Sequence, residues 1–85
     1  MERIVYGGLP GQGLEVVERD GKYFVRYDAG GLQIAWREDE ISHAEFQRLA
    51  DGPETAYEVL LGVQNRVIAR GDDPHSQNWS PPLGG

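Results

Sequence analysis

The sequence predicts an α+β domain, an antiparallel β-meander followed by an αα-hairpin packed on one face of the sheet. Three observations predict it. Residues 14–27, LEVVERDGKYFVRY, set two β-rich runs on either side of Asp20-Gly21, a dipeptide suited to a two-residue type I′ turn. Residues 32–37, LQIAWR, alternate again after the turn DAGG. From Ser42 onward the apolar period lengthens from the strand value to the helical one.

In chain order, ERIVY (2–6) reads as a short strand around Ile4 and Val5, which makes the meander four-stranded rather than three-stranded if it joins. GGLPGQG (7–13) is a glycine-rich connector. The Asp20-Gly21 turn sets Arg19 opposite Lys22, Glu18 opposite Tyr23, Val16 opposite Val25 and Leu14 opposite Tyr27. Glu15 then faces Arg26, a favourable charge pair. Pairing 32–37 with 22–27 brings Leu32 to Tyr27, Ile34 to Val25 and Trp36 to Tyr23. One face of the sheet thereby collects Leu14, Val16, Tyr23, Val25, Tyr27, Leu32, Ile34 and Trp36. The opposite face holds Val17, Phe24 and Ala35 among Glu15, Arg19, Lys22, Arg26, Gln33 and Arg37. Such an apolar patch with a charged rim marks a candidate interface.

Ser42 and Glu45 form a capping box, with Ile41 and Phe46 spaced as its hydrophobic staple. That helix ends near Asp51-Gly52, and Pro53 opens a second one at its first position. Ala56, Val59, Leu60, Val63, Val67 and Ile68 form its apolar stripe, and Gly71 suits its C-terminal end. Gly62 inside it costs about 1 kcal/mol relative to Ala. The domain is expected over 1–71. DDPHSQNWSPPLGG (72–85) lacks periodicity and is expected to be an extended or disordered tail, in which Trp79 suggests docking on its own chain or a neighbour.

Composition narrows the function. The net charge of -6 disfavours nucleic acid and anionic membranes and permits a basic protein partner. The chain has no cysteine, hence no disulfide or thiolate metal site. MERIVYGG has no apolar run fit for a signal peptide, so the cytoplasm is the expected location. GGLPGQG lacks the Lys and the following helix of a phosphate-binding loop. His43 falls in a helical first turn and His75 in the tail, neither beside a nucleophile motif. REDE (37–40) offers paired carboxylates but reads as a solvated strand-to-helix junction, so Glu38, Asp39 and Glu40 are expected to form an acidic surface. No catalytic residue, cofactor or metal site is expected.

Two resemblances add expectations. SPPLGG, through Pro81, Pro82, Gly84 and Gly85, resembles the ends of the small sulfur carriers of the molybdopterin-synthase type, which implies a reactive terminal diglycine. Those carriers are β-grasp domains whose last strand leads into the tail, whereas here two helices come last. YFVRYDAGGLQIAWREDEIS resembles small proteins of bacterial mobile elements, integron cassettes among them, which implies a small, acidic, oligomeric protein.

The expected function is therefore non-catalytic binding. The protein would act as a homodimer or higher oligomer, or as an immunity- or inhibitor-like factor for another bacterial protein. Its contact residues would be Val17, Phe24, Ala35, Arg26 and Trp79. The alternatives are the diglycine carrier and a small-ligand domain with a cavity lined by Tyr23, Tyr27 and Trp36.

Overall fold

The computed structural model describes residues 1–8, 13–30 and 32–81. Four antiparallel strands, β1 (Glu2–Gly7), β2 (Leu14–Arg19), β3 (Lys22–Asp28) and β4 (Trp36–Ile41), form one sheet in sequential order. Two helices follow, α1 (His43–Ala50) and α2 (Pro53–Ala69). The run 2–6 does join the meander, against β2, with a register shift between Ile4 and Tyr6. Among the described residues no helix is long and apolar enough to cross a membrane.

The central hairpin forms as its turn dictates. Asp20 and Gly21 both have positive φ, 55° and 78°, the requirement of a type I′ turn. The register runs from Leu14 opposite Tyr27 to Arg19 opposite Lys22, with Glu15 opposite Arg26. Val16, Val25, Tyr27, Ile41, Leu49, Ala56, Val59 and Val63 make the core between sheet and helices. At α1 the Ser42 hydroxyl accepts from the Glu45 N–H, and the Glu45 carboxylate accepts from the Ser42 N–H. Tyr23 stacks on Phe46 with ring centroids 5.1 Å apart, which ties β3 to α1. At the end of α2, Gly71 N–H donates to the Ile68 carbonyl and Asp72 N–H to the Val67 carbonyl, a Schellman closure with Gly71 in the left-handed region.

The last strand of the meander, β4, differs from the expected one. It spans 36–41, not 32–37, so Val25 meets Asp39 in place of Ile34, and Tyr23 meets Ile41 in place of Trp36. Tyr27 meets Arg37 in place of Leu32. The cause lies in the preceding loop. Asp28 Oδ1 accepts from the N–H groups of Gly30 and Ala35, both at 2.9 Å. The Ala29 N–H donates to the Ala35 carbonyl at 2.9 Å, so the backbone turns back on itself before the strand begins. A Cβ at Gly30 would collide with the Gln33 carbonyl, and the closure therefore needs glycine. Leu32 and Ile34 stand outside the core, 106% and 66% exposed. The shift from Ile34 to Asp39 is five residues, an odd number, so Trp36 turns to the face away from the helices.

Candidate functional site

The slipped register puts a charged pair where apolar side chains were expected. Arg37 and Asp39 point to the helix side with Tyr27, and all three are buried. Arg37 Nη2 and Nε donate to the two Asp39 oxygens at 2.9 and 3.0 Å. The Tyr27 hydroxyl donates to Asp39 Oδ2 at 2.8 Å. Burial alone would raise the Asp39 carboxyl, but the Arg37 and Tyr27 bonds outweigh it and hold it below the usual carboxylate range. Burial, then the bond to Asp39, pushes the Tyr27 hydroxyl above its ordinary value, so this phenol stays protonated and is no base. Asp39 is thus a buried ion-pair partner, and the acidic surface expected over 38–40 reduces to Glu40, which is exposed.

Arg37 also holds the tail. Its Nη1 donates to the carbonyl oxygens of Asp73 and Ser76, at 3.2 and 2.7 Å. Asn78 then pairs with the outer edge of β4. Its side-chain oxygen accepts from the Glu38 N–H at 2.8 Å, its side-chain nitrogen donates to the Glu38 carbonyl at 3.2 Å, and its backbone N–H donates to the Trp36 carbonyl at 3.1 Å. The described part of the tail turns at Asp73–Ser76, where the Ser76 N–H donates to the Asp73 carbonyl, and is pinned beyond that as a cover on a sheet edge. Pro82, Gly84 and Gly85, which carry the resemblance to the sulfur carriers, lie outside the described residues.

On the sheet face away from the helices, two guanidinium groups share three carboxylates. Arg26 donates to Glu38, Glu15 and Glu2 at 2.8, 2.9 and 2.9 Å. Arg19 donates to Glu2 and Glu38 at 2.7 and 3.0 Å. Each guanidinium lies over a ring, Arg26 over Trp79 at 4.5 Å and Arg19 over Phe24 at 4.6 Å. Trp79 meets Trp36 edge-on, with centroids 6.5 Å apart. Trp79 therefore docks on its own chain. The five expected contact residues are not brought together as an exposed patch. Val17 is fully buried, flanked in register by Ile4 and Phe24. Arg26 is buried, Phe24 lies under Arg19, and Ala35 sits in the loop before β4 rather than on the sheet. The expected trio Tyr23, Tyr27 and Trp36 is likewise divided between the two faces.

What the fold leaves open is elsewhere. A groove of about 290 Å³ runs between the end of β3 and α2, lined by Tyr27, Asp28, Gly30, Tyr57, Leu61 and His75 among others. Three of its polar groups are already engaged: the Tyr27 hydroxyl with Asp39, Asp28 Oδ1 with backbone, and His75 Nδ1 with the Ala29 carbonyl at 2.7 Å. Beside it α2 shows a second apolar row outside the buried stripe. Tyr57, Leu61 and Ile68 are 64%, 42% and 56% exposed, with Gln64 between them. Positions 57, 61, 64 and 68 recur at four, three and four residues, which aligns them on one line of the helix. Of the expected stripe, Ala56, Val59, Val63 and Val67 are buried and Leu60 packs against the core, whereas Ile68 belongs to this outer row. Sequence reasoning missed the row because the expected stripe leaves Tyr57 and Leu61 unassigned and counts Ile68 as core. Their excess over the width of one core stripe was the available signal.

Among the described residues no group of three or more His, Asp or Glu is placed to hold a metal ion. The molecule is an α+β domain, a four-strand meander with two helices on one face. No protein-family model, curated protein or solved structure matches this chain.

Proposed function

We propose that this is a non-catalytic interaction protein whose contact surface is the outer row of α2 together with the adjoining groove. The observation that carries it is the exposure of Tyr57, Leu61 and Ile68 in one line after the core has closed without them. An aligned apolar row beside a concave surface is the pattern of helix and peptide docking. The reading also agrees with the groove's chemistry, in which the Tyr27 hydroxyl, Asp28 Oδ1 and His75 Nδ1 are engaged with the protein itself. Selection of binders from a displayed library of random 16-residue peptides tests it. Binders to the wild type are expected to lose most of their affinity for the double variant Tyr57→Ser, Leu61→Ser. If every binder holds equally to that variant, the row is not the contact surface.

Self-association is a second reading, favoured by the sheet edges. Asn78 covers the outer edge of β4, while β1 stands at the other end of the sheet with no further described strand beside it. Ile4 on that strand is 57% exposed. Two copies pairing β1 to β1 would continue the sheet across a two-fold axis.

A further inference from the structure

We propose that the α2 row and its groove receive a cationic apolar segment of another protein, with large apolar side chains about one helical turn apart. The inference rests on the interaction reading above and adds the chemistry of the partner. Charge complementarity decides that chemistry. The chain carries -6, and each of its seven arginines makes an ion pair within the protein. Lys22, in β3 beside the hairpin turn, completes the eight cationic side chains. Among the described residues no Lys or Arg lines the groove, whereas Asp28 does. Glu54 precedes Tyr57 by three residues and Glu58 precedes Leu61 by three, which sets both carboxylates alongside the row. Glu58 is shared with Arg48, leaving the surround of the row acidic on balance.

Length and shape agree with a short segment. From Tyr57 to Ile68 the row extends about 16 Å at 1.5 Å per residue, roughly three turns of a partner helix. The groove, at about 290 Å³, is at the small end of ligand pockets and suits one large side chain entering beside Leu61. A second copy of this chain would bring the same acidic surround against the row, and so is the poorer occupant.

Two synthetic 16-residue amphipathic peptides test this, identical in their leucine stripe and carrying either lysine or glutamate elsewhere. Each is titrated into the isotope-labelled full chain and followed by backbone amide shifts. The lysine peptide is expected to shift the amides of 57–68 and 28–30, and to bind at least about tenfold more tightly than the glutamate peptide at low salt. Leu61→Ser and, separately, Glu54→Lys should each weaken it severalfold while leaving the remaining spectrum in place. Equal binding of both peptides, or shifts confined to other surfaces, would overturn the inference. So would a wild-type dimer that Leu61→Ser dissociates, since a second copy would then occupy the row. If the library yields binders that depend on the row but carry no excess of Lys or Arg, the interaction reading stands and this inference falls. If no binder depends on the row, both fall.

Discussion

Asp39 shows how a single side chain organises the interior. It takes two bonds from Arg37 and one from Tyr27 in a buried setting. Asp39→Asn removes the charge and leaves the buried Arg37 guanidinium without its counter-charge, so a loss of about 3–5 kcal/mol in denaturant unfolding is expected. The same group contributes to acid sensitivity. Its folded carboxyl is held low, as are those of Glu2, through Arg19, and Glu45, where the Arg66 bond outweighs burial. A depressed folded value means that the unfolded chain takes up protons first as the pH falls. Stability from these groups is therefore fully present above the unfolded carboxylate range and declines below about pH 4. Unfolding free energies measured from pH 7 to pH 2.5 should show this fall and no matching loss between pH 5 and 7. Gly62 makes the opposite prediction. Among the described residues a Cβ there meets nothing within 4 Å beyond its own helix backbone, so Gly62→Ala should stabilise by about 0.5–1 kcal/mol in the same assay.

Among the elements, the tail is the segment whose role changes most between chain and fold. The tail supplies the acceptors for Arg37, the partner for the β4 edge and the ring over Arg26. Truncation after Gly71 exposes all three at once, and the shortened chain is expected to lose at least about 3 kcal/mol or fail to fold cooperatively. Truncation after Ser80 keeps those contacts and should leave the melting temperature within a few degrees of the wild type. If both truncations melt alike, the tail is not part of the fold. The meander itself was legible in the hairpin, because Asp20-Gly21 has one favoured turn and that turn sets the pairing of every residue from 14 to 27. The capping box and Pro53 were legible for the same reason, since each acts within one helical turn.

For the whole molecule, the sheet face that suggested an apolar interface is occupied by the protein's own charges and rings. Self-association would use the edge of β1, which carries Glu2 and Arg3, one charge of each sign. A dimer at micromolar concentration is the expected outcome of sedimentation, shifted toward monomer by Ile4→Lys and unaffected by Leu61→Ser. A wild-type monomer, or a dimer indifferent to Ile4→Lys, would remove β1 from consideration. The two surfaces are then separable, one uncharged on balance for a second copy and one acidic for a cationic partner.

The sequence by itself determined what depends on neighbours in the chain: the type I′ turn, its register, the two helices with their caps, and the α+β class. Only the tertiary structure decided where the third connection ends and which residues face the helices. LQIAWR alternates as well as any strand, yet Asp28 closes a loop across it, and the strand forms from WREDEI. That choice holds because Arg37, Asp39 and Tyr27 satisfy one another, and because Ser76 and Asn78, about forty residues further on, complete the bonding. An apolar pattern is visible in a short window of residues. Mutual satisfaction of buried charges is a property of side chains that meet only after folding, so no window could show it.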